Sequence, residues 1–509
     1  MSVIAIAAEP VTREKLRTFH LAARGLEECR PAERLKPLLP EGALESLPRG
    51  MAEPLEALYV RQITEGRAAA RTKFREQLKL GIAQLRDLLS VDEAKRTPAS
   101  LQKVAASLGA DADRFLSMSQ LLQVFGRQSN KMAAMEPERL RRCEAALAVL
   151  EQAWSEHESD PVFWLFRFDD AAEIAGVRTR KSDDPCAAAL DFCKRQLAGL
   201  APVLRAVRVA KLEAAGAYEE AIHGEALERL DWQAAEPDEI AALPPVVVME
   251  AAERVAGVSL TSFSRLLRSG RPAQVLVASD GMVTDDLSGS VADIGALALA
   301  HRGAFVLQSS LGWQEHLTGG LGEMARTLFP AVAVVSIAGQ GDPQQNALLS
   351  VTPAFPLFRY SPDKAGAWAE RFELVKPQPV FADVTVLDAL APQDRYRDHF
   401  RIIPDEAWDR DQMELHEYLK LYTATPPLVV PYLSVTDREG KLQRAAVTRE
   451  LVHLCFDRRR AWEMLEVLAA KAVAVAVETA PVVDEAAIRE AAAKEAYLRV
   501  VSLLTGAAV

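Results

Sequence analysis

Three places in this chain gather side chains suited to chemistry. Glu250 and Glu253 follow an apolar run, three valines and a methionine, at 246–249. Asp280, Thr284, Asp285 and Asp286 follow a second apolar run at 274–278. Gln308, Ser309 and Ser310 end a third, with Glu315 and His316 close behind. Carboxylates are the hard oxygen donors that Mg²⁺ requires. Glu250 or Glu253 together with Asp280 could therefore hold a cation, with Asp280 the single metal ligand to name. A solvated acidic rim is the alternative. Gln308, Ser309, Ser310 and His316 could line a pocket mouth, but serines after a strand also cap the next helix. No Ser–His–Asp relay follows from the spacing, and no residue is assigned a catalytic role. The sequence holds no HExxH, GxSxG or phosphate-loop pattern. Gly320-Leu321-Gly322 fits a loose GxGxxA. It lies inside a helical pattern rather than at a strand-to-helix turn, so close helix packing is the simpler reason for it.

The elements that must position these residues alternate. Strands are expected at 246–249, 274–278, 305–308, 332–337 and 356–360, and helices at 259–268, 291–301, 313–328 and 345–351. Gly270 and Gly303 stand where helix C-caps belong. Apolar, β-branched strands alternating with helices predict an α/β fold with a mostly parallel sheet covered on both faces. Ligands bind outside the carboxyl ends of such strands, so the loops after Met249, Ala278, Gln308 and Ile337 are the places to look. Upstream, the aromatic run 162–166 predicts a strand, residues 169–185 a polar loop, and residues 186–215 a long helix.

The flanks differ. Residues 1–155 read as a helical arm or docking region: Leu78, Ile82, Leu85 and Leu89 share one face, and so do Leu140, Cys143, Leu147 and Leu150. RQSNKMAA at 127–134 reads as an exposed loop. After 391 a hairpin is expected over 429–447, followed by helices at 450–471 and 484–504. The basic run Arg458-Arg459-Arg460 beside Trp462 reads as a solvated helix face or salt-bridge partner. The expected organisation is 1–155 helical, 156–390 α/β, and 391–509 hairpin plus helices.

Composition narrows the function. The net charge of −11 disfavours generic nucleic-acid or anionic-membrane binding. Five cysteines, at 29, 143, 186, 193 and 455, stand apart without a CxxC. They make neither a disulfide framework nor a zinc or iron–sulfur cage. Cys186 and Cys193 fall on one helix face and suit packing. With no targeting signal and no stretch approaching the roughly 18 apolar residues of a membrane span, a cytoplasmic protein without membrane insertion is expected.

Residues 244–362 resemble the thiamine-diphosphate-binding C-terminal domain of pyruvate:ferredoxin (flavodoxin) oxidoreductases. LLRSG at 266–270 followed by AQVLVASD at 273–280 looks like that family's diphosphate-binding unit. The run 291–313 is similar to its next helix and strand, and NALLSVTPAFPLFRYSP at 346–362 to its closing helix and LYRYNP-type strand. The resemblance covers about a quarter of the chain and fades by residue 400. It implies a sheet of thiamine-diphosphate-binding type, between an α-helical N-terminal region and an α+β C-terminal tail.

The departures from that pattern are specific. The family holds Mg²⁺ and diphosphate with a GDG turn. Here Ala251-Ala252-Glu253 stands in its place, which puts alanine at the metal-binding aspartate and removes both glycines. The second turn carries Asp280, Asp285 and Asp286 where the family has mostly neutral groups, and these repel a diphosphate unless a metal lies between. The cysteine spacing lacks the family's close pair. The resemblance therefore implies a degenerate, non-catalytic subunit that scaffolds a 2-oxoacid:acceptor oxidoreductase complex. Glu250, Glu253, Asp280, Thr284, Asp285, Gln308, Ser309 and Ser310 would form its vestigial pocket. Iron–sulfur clusters would sit in partner subunits, and thiamine diphosphate with Mg²⁺ would be at most weakly held. Two alternatives stay open: an active subunit completing its site with a partner chain, and an unrelated α/β binding or regulatory module.

Overall fold

Four near-continuous apolar runs form the centre of a sheet, and their burial explains why they read as unbroken rather than alternating. A computed structural model describes residues 54–96, 134–170, 173–282, 291–337, 343–375, 385–391, 393–408, 411–421, 429–436 and 441–470. The strands are β1 (Phe163–Arg167), β2 (Val177–Lys181), β3 (Val246–Ala251), β4 (Ala273–Ser279), β5 (Phe305–Ser310), β6 (Ala331–Ser336), β7 (Phe358–Tyr360) and β8 (Phe372–Leu374). They form one sheet in the order β2-β1-β3-β4-β6-β5-β7-β8. The first six are parallel, and β7 and β8 add on antiparallel. The protein is therefore α/β with a mostly parallel sheet, as expected. A second sheet contains β9 (Phe400–Ile403), β10 (Gln412–Glu414), β11 (Val430–Thr436) and β12 (Leu442–Val447) in the order β10-β11-β12-β9. Its β11–β12 pair is the expected antiparallel hairpin.

The helices that matter here are α1 (Leu55–Arg96), α2 (Pro137–Glu158), α3 (Pro185–Ala214), α4 (Glu220–Glu228), α5 (Pro237–Ala241), α6 (Ala252–Ala256), α7 (Leu260–Leu267), α8 (Ile294–Leu299), α9 (Gln314–Arg326), α10 (Pro343–Ser350), α11 (Trp368–Arg371), α12 (Val386–Leu390), α13 (Leu415–Leu421) and α14 (Arg449–Ala469). The period of two along each strand divides the core. Phe163, Leu165, Val247, Leu276, Leu307 and Ala333 join the start of α1 and α9 on one face. Phe166, Val248, Val275, Val277, Val306 and Val334 join α3, α6, α7 and α8 on the other, and α12 and α14 extend that layer.

The helical arm is tied to the sheet by buried polar groups. The Tyr59 hydroxyl donates to Gln274 Oε1 at 2.8 Å, and Gln274 Nε2 donates to the Met324 carbonyl at 2.9 Å. Arg67 donates to the carbonyls of Ala325 and Thr327, at 2.7 and 3.1 Å, satisfying acceptors left open at the end of α9. Farther along, α1 packs with α2 and α3 around Leu78, Leu85, Leu150 and Leu204. Cys186 and Cys193 are fully buried against the sheet, as their spacing predicts.

One expected loop is partly a strand. Within 169–185 the segment VRTRK forms β2, an edge strand exposed from Arg178 to Lys181. Exposure removes the apolar signal by which buried strands announce themselves. The expected helix at 484–504, Cys29, and all but the last residue of the expected loop at 127–134 lie outside the described residues. Among the described residues no helix is long and apolar enough to cross a membrane.

Candidate functional site

The carboxyl end of β4, the start of α8 and the middle of the last described helix, α14, meet at a cleft. It is lined by Ser279, Gly281, Asp293, Gln308, Phe355 and Arg458, among others, and Ala252 contributes to its wall. The cleft encloses about 20 Å³, room for about one water.

Its charge is arranged internally. Asp293 is the N-cap of α8 and accepts from the Ala296 amide at 3.0 Å with Oδ1. Its other oxygen lies 3.6 Å from Arg458 Nη1. Arg458 is only 4% exposed, and its Nε also donates to Asp457 Oδ2 at 3.1 Å. That same oxygen accepts from the Val291 amide at 3.2 Å. The Asp457–Arg458 pair thus staples α14 onto segment 291–293. A buried guanidinium held by two carboxylates is a satisfied arrangement, with its charge already matched.

The residues singled out from sequence separate around this cleft. Gln308 lines it, donating to the Pro356 carbonyl at 2.8 Å and packing where Gly295 leaves space, since a Cβ there would clash with its Oε1. Glu250 is 3% exposed at the end of β3, but it is held by Arg254 Nε and by the Ser259 hydroxyl. Arg254 also lies 3.7 Å over the Phe168 ring. Glu253 is exposed in the first turn of α6. Asp280 is exposed after β4. Its carbonyl accepts from Arg395 Nη2 at 3.0 Å, and its carboxylate lies 4.0 Å from Nη1. Gly281 takes φ +109 beside that guanidinium, where a Cβ would come within 2.5 Å of Nη2, so only glycine fits. Thr284 and Asp285 lie outside the described residues.

Ser309 and Ser310 point to opposite faces of β5. Ser309 is fully buried and lies 2.9 Å from His316 Nδ1. Burial, reinforced by Arg359, pushes the His316 imidazole down to about 4, so the ring is neutral above that pH. Complete burial of the serine hydroxyl denies it a substrate. Ser310 donates to the Asn346 carbonyl at 3.1 Å and accepts from the Gly312 amide. Neither serine caps α9, whose N-cap is Trp313 with no side-chain bond. The alternative of helix capping therefore fails for both.

Asp293 and Arg458 were missed from sequence. Arg458 had a readable signal: on α14 it falls on the same stripe as Leu451, Cys455, Trp462 and Leu465, all buried. It is a salt-bridge partner, as one reading held, and is not on a solvated face.

The described residues do not fit a magnesium-bound diphosphate. Ala252, at the position the resemblance gives to the metal aspartate, is a buried methyl group without an oxygen donor. The carboxylates around the cleft, Glu250 and Asp280 at strand ends and Asp293 at the N-cap of α8, each face an arginine. No group of three His, Cys, Asp or Glu able to hold a metal occurs among the described residues. Compared with protein-family models and with curated proteins, the sequence matches none.

Proposed function

We propose that this chain is a non-catalytic subunit of a 2-oxoacid:acceptor oxidoreductase-like complex, with a thiamine-type α/β layer retained as a scaffold for partner subunits. The observation that carries the reading is the Arg458–Asp293–Asp457 cluster, in which the one cation among the described residues lining the carboxyl-end cleft is already held by two carboxylates of the same chain. In an α/β sheet the ligand belongs at that end. Here α14 supplies a cation to the cap of α8, and Arg395 occupies the turn after β4. Ala252 in place of a metal-binding carboxylate supports the same reading, as does the absence of a cluster-type cysteine pair in the sequence. No catalytic step is derived through thiamine diphosphate. The scaffold's work is to bind, and the redox groups belong to its partners.

The experiment is co-purification of the tagged chain from its native cell, with iron and acid-labile sulfide measured in the complex and in the isolated chain. The reading expects stoichiometric iron–sulfur subunits in the complex and no cluster in the chain alone. A chain that purifies without iron-containing partners contradicts it.

A further inference from the structure

The outer edge of the large sheet carries an arrangement that neither the cleft nor the core uses. Among the described residues β2 is the terminal strand, bonded to β1 on one side only. The Ser182 amide donates inward to the Arg167 carbonyl at 2.9 Å. The period of two then turns the backbone of Arg178 and Arg180 toward β1 and that of Thr179 and Lys181 outward. Outward amides and carbonyls on an edge strand are a template for one more strand. The side chains above this edge are basic and held in place. The Arg178 and Arg180 guanidinium groups lie 5.4 and 4.7 Å over Trp164, and Arg180 also lies 4.8 Å from the Phe192 ring. Arg195 of α3 lies 5.9 Å from the same Phe192 ring. Arg180 makes no close ion pair with a described carboxylate and Arg195 feels Asp191 of its own helix only at longer range, whereas Lys181, on the opposite face, pairs with Asp170.

We propose that β2 is a docking edge for an extended, acidic segment of a partner protein, which adds as a strand and sets alternate carboxylates against Arg178, Arg180 and Arg195. Stacked guanidinium groups are preorganised and match carboxylates bidentately. A second copy of this chain is a poor occupant, because two β2 edges would oppose like charges. Nucleic acid is disfavoured by the net charge of −11 and by a patch only about 17 Å long. The inference needs only the edge strand and does not rest on the thiamine-type reading.

The test is fluorescence anisotropy of the full chain with a labelled eight-residue peptide of alternating Val and Glu. Three probes serve as controls: the same peptide with Lys for Glu, the same peptide with a central Pro, and a uridine oligonucleotide. Only the acidic, proline-free peptide should bind. Arg180→Ala with Arg195→Ala should weaken it by about tenfold. Thr179→Pro should weaken it similarly, since it removes one outward amide and leaves the inward ladder to β1 intact. Equal binding of the Lys peptide overturns the proposal, and so does indifference to both sets of substitutions. Tighter binding of the oligonucleotide, weakened by the same arginine changes, overturns it too and assigns the patch to nucleic acid instead.

Discussion

Replacing Arg458 by Met is the perturbation that reads most directly on how the cleft is closed. Arg458 is 4% exposed, while the side chains of Asp293 and Asp457 are 14% and 24% exposed. Removing the guanidinium leaves two carboxylates facing each other across the staple. At an effective dielectric near 20, a unit pair about 4 Å apart attracts by about 4 kcal/mol. Desolvation offsets much of that, and breaking a fully buried pair by deleting one partner costs about 3–5 kcal/mol. Both aspartates reach solvent, so about 2–3 kcal/mol is expected here. The carboxylates left behind account for most of this cost, so adding Asp293→Asn and Asp457→Asn to the Arg458→Met variant should recover about half of it. The assay is urea denaturation followed by tryptophan fluorescence, comparing transition midpoints at a common slope. A change below about 0.5 kcal/mol for Arg458→Met, the size expected of a surface substitution, would refute the reasoning, because it would make Arg458 a surface charge rather than the cleft's internal cation.

Other predictions concern the layers around the cleft. Gly320→Ala should destabilise by about 1–3 kcal/mol, because its Cβ would meet both Leu307 methyls at 2.5 and 2.6 Å. Gly319→Ala in the same helix meets nothing within 4 Å and should stabilise by up to about 1 kcal/mol; paired denaturation curves check both. His316 is protonated more readily unfolded than folded, since burial lowers its folded value to about 4. Its contribution is therefore intact above the unfolded value of roughly 6.5 and is lost as pH falls toward 4. Wild type should lose up to about 3 kcal/mol more than His316→Gln across that window, and equal pH profiles would dismiss the effect. Cys143, Cys186, Cys193 and Cys455 are buried and their thiols are pushed up by burial, Cys193 to about 12. Peptide mapping after brief iodoacetamide treatment of the native chain should find all four unmodified.

The sequence was legible where burial was complete. β3, β4, β5 and β6 are buried along nearly their whole length and mostly apolar, so each appears at its position to within a residue or two. The helices between them announce themselves by spacing, but the expected glycine caps are displaced: the C-caps are Arg268 and Ala300, Gly270 takes a positive φ two residues after the first, and after α8 the positive φ falls on Arg302 rather than on Gly303. Legibility failed at edges and across long separations. β2 reads as VRTRK and carries no apolar alternation, because both its faces and one of its sides meet solvent. Arg458 belongs to a cleft whose other residues lie some 165 positions upstream at Asp293. Only its place on the buried stripe of α14 hinted that the side chain turns inward. Glu250 is an instructive case: it stands at a strand end, where a ligand carboxylate would be sought. It is consumed by Arg254 four residues later, across the turn from β3 into α6, a pairing that sequence alone does not distinguish from a free site.

The most direct test of the central claim is calorimetric titration of the purified full chain with thiamine diphosphate and Mg²⁺. A scaffold whose narrow cleft is lined by Asp293 and by Arg458, itself held by Asp457, predicts no saturable heat at millimolar ligand, in wild type and in Asp280→Ala alike. Saturable micromolar binding that Asp280→Ala abolishes would contradict the account and return the chain to the working thiamine enzymes.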